Sequence, residues 1–579
     1  NLITWGAVSA VQTSQFYGTG LNDTAEKAYS VQVQGNALQL VVGSMSDVPW
    51  LWIGDTGTWS DTSSAEWQNA GGSGPAGQVV TFAPGHDGTV TVSQVTPASI
   101  RVTGGRYRFE GDSAGIISSG DFIVSGDDTL VQLALANPGF SGNLRLQGGT
   151  LEIEAEGALG TASIYFNGGQ LRYGSGITQD VSSRLNSASS SMVRVDTNGN
   201  TVTWADDAGV KQSLTHGVEK NGAGELTLNW QSAGETQSGN LAVNDGVLRI
   251  NKVSGQGTLS GSFIGEGTLV LTSASGQLTV QGNHTGFAGT LELAGDGSPS
   301  SGSVSFYDGV AMGGSGTLVR VAGQRFWFSR ATTTAANLEI VDGTTTYLDG
   351  STGQHYTFTG VLSGAGTMIL KPSSHITMSG DVSAFTGSLV HPGNTAVNWT
   401  FGGENVAGSG LVQANLSSPG ATMTFNFQYS SPTTMSGVVG GTAMLRQSGS
   451  GVLTLTGQNT TTGSLTIDTD CEVRLGSSEA SASWAGSSLQ GGGRLTLVNG
   501  SLNAGLSTLE GELVADVADG ARVDMGGMDA NVLGGISIAE NGQLGGIIGN
   551  LNIGSVDGVE EMNLTLGSAN VGSTSSLGS

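Results

Sequence analysis

The chain has 579 residues, with 97 Gly, 10 Pro, 37% apolar and 11% charged residues, and a mean hydropathy of +0.01. The glycine has no Gly-x-y period, which excludes collagen, and the apolar content excludes a disordered low-complexity tract. With 46 acidic against 20 basic residues the formal charge is −26, a surface that repels phosphate backbones, so no nucleic-acid partner is expected.

Residues 1–110 stand apart as a Trp-rich β-strand cap or entry region. Trp50, Trp52, Trp59 and Trp67 lie close together and Trp5 lies upstream, which places half of the 10 tryptophans here. From Gly77 to Gly111 apolar and polar residues alternate between Gly and Pro turns, the pattern of several short strands. At the end of a stack such a cluster is expected to cover open edge strands, with a ligand-stacking platform as the alternative.

Residues 111–500 repeat. One phrase reads NGAGELTL from Asn221, IGEGTLVL from Ile264, GGSGTLVR from Gly313, SGAGTMIL from Ser363 and QSGSGVLTL from Gln447. Its first glycines, Gly222, Gly265, Gly314, Gly364 and Gly449, are separated by 43, 49, 50 and 85 residues, the last gap holding a degenerate copy at Gly408–Leu411. A second phrase, aromatic-x-Gly-x-Leu, appears from Phe140, Phe287 and Phe385, and without the aromatic from Gln237 and Thr461. A third, Gly-x-Leu after a Gly-Gly or Asp-Gly turn, appears from Gly148, Gly168, Asp245 and Gly492. Gly149 and Gly169 are 20 residues apart, the length of one turn of a β-solenoid, so the period near 45 reads as two turns. Residues 501–579 read as a continuation of the helix or a linker.

The pleat supplies the logic. In GAGELTLNW, Leu226 and Leu228 face one way while Thr227 and Asn229 face the other. Stacked turns place leucine over leucine at about 4.8 Å, and glycine at each corner permits the positive φ of a tight change of direction. The motif phenylalanines are expected to stack inside. At about 22 residues a turn, the chain would hold about 26 turns in a rod of about 125 Å. Helix is nearly absent, with AEGALGTA from Ala155 and SSEASASWAG from Ser477 each able to make a turn. The fold class is therefore all-β, a parallel β-helix or β-solenoid with an N-terminal Trp-rich cap.

LRQSGSGVLTLTGQNTTTGSLTI from Leu445 and GFSGNLRLQGGTLEIEAEGALGTASIYFNGGQLRYG from Gly139 resemble the autotransporter-associated β-strand repeat. WIGDTGTWSDTSSAEW from Trp52, followed by VVTFAP, resembles the opening of passenger regions carrying that repeat. The resemblance covers about 120–500 and implies a right-handed parallel β-helix, extracellular, at the outer-membrane surface of a Gram-negative bacterium, where many members are adhesins. It implies a passenger or fibre that binds host or matrix glycoprotein or glycan, or associates with itself. Contact with the membrane is expected only through a C-terminal barrel absent from this sequence, which closes on GSTSSLGS. The acidity fits solubility of such a fibre, and a single cysteine fits export through an oxidising periplasm. No apolar run approaches the roughly 18 residues that span a bilayer. The chain opens at Asn1 without a visible signal peptide, which suggests a mature or trimmed fragment.

Candidate chemistry is thin, and no catalytic, cofactor or metal residues are assigned. Gly111, Ser113 and Gly115 match a nucleophile elbow, yet no helix follows, and two such matches are expected by chance in so glycine- and serine-rich a chain. His86, His216, His284, His355, His375 and His391 are expected to be scattered surface histidines, none at helical zinc spacing. Asp127–Asp128, Asp206–Asp207 and Glu560–Glu561 are neighbours that point to opposite faces of a strand, unsuited to paired acid–base work. Cys471 should share a buried face with Val473, opposite Glu472, and sequons such as Asn22 and Asn459 follow from composition. The alternative is a β-helical polysaccharide lyase or glycosidase, whose residues would come from different turns, with Asp180, Arg184, Asp206 and Lys220 as an unselected possibility.

Overall fold

Alternating phrases fold as strands because every second side chain enters an apolar stack. In the computed structural model, residues 50–499 are described apart from 64, 69–73, 112–114, 299, 301, 351–352, 371–374, 393–396, 404–409, 420–422 and 487. Beyond them the backbone strands Ile3–Thr4, Ala28–Gln34 and Ala37–Gly43 are described, with others from Gly500 to Thr574. Trp5, Ser113, Asn22, Glu560–Glu561 and the first half of the degenerate repeat, Gly408 and Ser409, lie outside the described residues.

The chain is an all-β solenoid of about 18 turns, with parallel strands stacked turn on turn. Turns depart from the expected length of about 22 residues because corners carry insertions. Thr150 pairs with Gln170 one turn of 20 residues away, but Thr290 pairs with Leu318. Two units make up the chain. In the first (Asn1–Gln231, Gln237–Asn251 and Ser260–Thr268) one inward rung runs Tyr107, Val131, Leu151, Leu171, Val195, Lys220, Val243. A second sheet stacks Val80, Ile100, Phe122, Leu144 and Ile164. In the second unit (Ser232–Thr236, Lys252–Leu259 and Leu269–Ser579) Leu278, Val304, Phe326, Leu348 and Leu370 form one rung, and Leu445, Leu465 and Leu489 another. All of these apolar side chains are buried. Burial of a leucine or valine stabilises by about 1.5–3 kcal/mol, and each rung repeats the gain.

Trp50, Trp52, Trp59 and Trp67 are buried, and Trp52, Trp59 and Trp67 pack around Phe82 with ring centroids 5.5–5.6 Å away. The short strand Trp67–Gln68 runs antiparallel on Trp50–Trp52 and occupies that sheet's edge. Among the motif phenylalanines, Phe140 extends a ring series Phe82, Phe109, Phe122, Phe140. A second series, Phe306, Phe328 and Tyr356, uses rings outside any repeat phrase.

The corner glycines serve two purposes, of which only one was expected. Gly222 (φ +65°) and Gly364 (φ +95°) take the left-handed conformation that the turn phrase implied. In the aromatic-x-Gly-x-Leu phrase, Gly142, Gly387 and Gly463 are not at positive φ. A Cβ on Gly142 would lie 1.7 Å from the carbonyl oxygen of Gly120 in the turn below, and one on Gly387 2.0 Å from that of Gly366. Close approach of stacked turns, not backbone freedom, demands these residues.

One α-helix, Asp207–His216, is described where none was expected. Asp206 caps it, its carboxylate accepting from Gly209 N at 2.9 Å, and Gly217 ends it at φ 93°. Residues 155–162 make successive turns as expected, while the Ser477 stretch forms the strand Ala482–Trp484 instead.

Candidate functional site

Inward positions build the core, so the chemistry available to a partner lies on the outward rungs. In the first unit one outward rung stacks Arg108, Gln132, Glu152, Arg172, Asp196 and Asn221. Charges alternate and satisfy one another. Arg108 Nε donates to Glu154 at 2.9 Å, Gln132 Nε2 to Glu152 at 3.0 Å, and Arg172 lies 3.4 Å from Asp196. On the next rung Arg194 pairs with Glu219 at 2.9 Å. The hydrogen-bonded Glu154 and Glu110 carboxylates hold the Arg108 guanidinium above its ordinary pKa against partial burial. The charges of this ladder are paired within it, with Arg172 Nε and Arg194 Nε held in ion pairs but without a hydrogen bond.

The second unit carries a different arrangement. Ser303–Phe306, Arg325–Phe328 and Thr345–Gly350 are successive parallel neighbours, and Ser305, Trp327 and Asp349 share an outward rung. Phe326 and Phe328 on either side of Trp327 are buried, which pins the indole outward and half-buried. Arg325 Nε, at the start of the middle strand, is ion-paired with Asp349. The other carboxylate oxygen, Asp349 Oδ1, is buried without a hydrogen-bond partner. At the end of the rank, Arg330 is exposed, its guanidinium 4.3 Å from the centroid of the Tyr307 ring. That contact leaves the charge free for solvent or an anion, since cation–π stacking uses the flat face and not the N–H edge.

Asp180, Arg184, Asp206 and Lys220 do not converge. Asp180 accepts from Ser182 N and Ala205 N, both at 2.8 Å, and Ser182 Oγ accepts from Asp206 N at 3.0 Å, a bracket that seats the capped helix. Arg184 is held below its ordinary pKa by burial. Lys220 sits on the inward rung, 0% exposed, donating to the carbonyls of Asn221 at 2.9 Å and Gly222 at 2.5 Å. Burial draws its pKa down to about 8, opposed by Asp196 and Asp245. Lys252 is buried too and donates to Ser232 O at 2.6 Å. These lysines close corners.

The histidines are not all on the surface. His284 and His391 are buried, and burial lowers both pKa values, that of His284 to about 4. A core position one turn beyond a strand leaves no mark that separates it from a surface one in sequence. His86 is within 3.2 Å of Asp55, and His216 Nδ1 meets Gln212 O at 2.9 Å. His355 and His375 are exposed register partners with ring centroids 6.4 Å apart. Among the described residues no three His, Cys, Asp or Glu side chains form a metal-holding group. Asp127 and Asp128 are exposed, and Asp207 accepts from Gln231 N at 2.8 Å. Cys471 is buried beside Val473 as expected, its thiol pKa raised by burial. Asn459, far from being a surface sequon, is buried and bridges turns: its Oδ1 accepts from Val439 N at 2.9 Å and its Nδ2 donates to Ser483 O at 3.0 Å.

No family model, curated protein or solved structure matches this chain. The Trp327 rank was missed in the sequence although RFWFSR from Arg325 carries its signal, a tryptophan flanked by two inward phenylalanines and two outward arginines. Tyr307 and Asp349 join it only through turn-to-turn register.

Proposed function

We propose that this chain is a non-enzymatic surface passenger or fibre segment that presents its outward rungs to a host or matrix glycoprotein or glycan, or to its own copies. The observation that carries this reading is the division within each turn. Inward side chains are consumed by a core that repeats, while outward ones form long polar ranks that vary from turn to turn. A repeating core extends surface without requiring a new fold for each added binding element. The resemblance of the repeat phrases to autotransporter passengers supports a place outside the outer membrane of a Gram-negative bacterium.

The test is binding of the purified chain to immobilised mucin, matrix glycoprotein and polysaccharides, together with a self-association measurement. Saturable binding without release of reducing ends or unsaturated products is expected. Product release would replace this reading with the lyase or glycosidase alternative. Absence of binding to every surface and to itself would leave only an inert stalk.

A further inference from the structure

We infer that the outward rank Tyr307–Arg330, Trp327, Arg325–Asp349 in the second unit is a subsite for an acidic saccharide unit. The indole would take a sugar ring's C–H face, Asp349 Oδ1 a sugar hydroxyl, and Arg330 the anionic substituent. The inference rests on the surface-binding reading above and adds where, and for which chemical class, that surface is built.

Three observations point to the same place. The first is Asp349, 9% exposed, with one oxygen held by Arg325 and Oδ1 without a donor. A carboxylate oxygen withdrawn from water and left unpaired is unfavourable, and a ligand hydroxyl that donates to it removes the penalty. The oxygen is closed over by its neighbours, so a ligand reaches it as the rank's side chains part. The recovered hydrogen bond then contributes to affinity.

The second is Trp327, outward on the same rung and wedged by buried Phe326 and Phe328. Ser305, also on that rung, is fully buried, its Oγ 3.2 Å from Ser329 Oγ. A flat, partly exposed indole beside a hydrogen-bonding carboxylate matches the two faces of a pyranose: apolar C–H on one side, hydroxyl donors at the rim.

The third is charge. Arg108, Arg145, Arg172, Arg194, Arg249, Arg320, Arg325, Arg446 and Arg474 all pair with carboxylates. Arg330, like Arg101 and Arg106, is exposed without a carboxylate partner among the described residues, and it is stacked on the Tyr307 ring beside Trp327's rung. In a chain of net charge −26 a guanidinium left to face solvent beside an aromatic platform selects an anion. A planar fork fits a carboxylate or a sulfate, so uronate and sulfated sugars share this chemistry.

The experiment uses the whole chain, with polygalacturonate, heparin and neutral dextran as probes alongside immobilised mucin and matrix glycoprotein. Binding to polygalacturonate, heparin or both, at least tenfold tighter than to dextran, is expected. Arg330→Gln should weaken acidic-polymer binding about tenfold and flatten its salt dependence. Trp327→Ala should weaken it at least fivefold, while Arg474→Gln, elsewhere in the same unit, leaves it unchanged. Denaturation midpoints show that the variants remain folded, and Trp327→Phe, which keeps an aromatic face, should restore part of the loss. Preference for one acidic polymer identifies carboxylate or sulfate as the recognised group. Acidic polymers that bind wild type, Arg330→Gln and Trp327→Ala alike would overturn this subsite while sparing the surface-binding reading. No binding to any saccharide or glycoprotein would overturn both.

Discussion

Gly142→Ala tests the claim that close stacking, not backbone freedom, explains the glycine in the aromatic-x-Gly-x-Leu phrase. The added methyl would lie 1.7 Å from Gly120 O, 2.7 Å from Gly120 C and 3.0 Å from Ser119 C. All three atoms are backbone, so no rotamer change relieves the clash. Restoring an ordinary carbon–oxygen contact of about 3.2 Å needs a local shift of about 1.5 Å, a third of the rung spacing of roughly 4.8 Å. Such a shift strains the flanking bonds, Ser141 N to Ser118 O at 2.9 Å and Ser163 N to Gly142 O at 3.2 Å. Two lost hydrogen bonds at about 1 kcal/mol each, with overpacking of about 1–3 kcal/mol, give a destabilisation of about 3–5 kcal/mol. Turns interact mainly with their neighbours, so hydrogen exchange should accelerate locally, around 118–163, before global unfolding. Gly286→Ala is the control: its Cβ meets nothing within 4 Å, and a change within about 0.5 kcal/mol is expected. Urea unfolding of both variants decides the matter. If Gly142→Ala is as stable as Gly286→Ala, stacked-turn contact is not the reason for this glycine.

Two buried polar groups and one helix cap give three further outcomes. Lys220, with a folded pKa of about 8 against an ordinary 10.5, binds fewer protons in the folded than in the unfolded state between those values, so its contribution makes stability rise with pH there. Lys220→Met should abolish that rise, at most about 3 kcal/mol and less to the extent that its carbonyl partners favour the ammonium; urea midpoints of both proteins at pH 7 and 9.5 measure it, and parallel pH profiles would refute it. Asn459→Leu keeps the volume but strips partners from Val439 N and Ser483 O, and should lower stability by about 2–4 kcal/mol in the same assay, whereas an unchanged midpoint would mean water replaces the amide. Asp206→Ala removes the cap from the single described helix and should reduce stability by about 1 kcal/mol, visible as faster amide exchange at Gly209.

Local alternation and a constant interval are enough to specify the class of fold. Leu226 and Leu228 alternating with Thr227 and Asn229, and Gly149 one turn from Gly169, specify strands that bury one face and return at a constant interval, because the pleat has a period of two and stacked turns need matched lengths. The sequence also marked Cys471 as a core position, since alternation carries through DTDCEVRL. Alternation is local and says nothing about which residue of one turn sits above which residue of another. The stacking of one turn on the next is what brings His355 to His375 and Asp349 beside Trp327, lays Arg330 over Tyr307, and stands Lys220 between Val195 and Val243. Insertions of several residues at the corners shift register between turns, so side chains that form one surface are separated by intervals from 19 residues (Gly88 and Tyr107) to 33 (Gly57 and Val90), with no constant offset. The helix Asp207–His216 escaped for a related reason: a ten-residue corner insertion interrupts the strand pattern without disturbing the ladder on either side, because the hydrogen bonds that hold the stack run between turns, not along the chain.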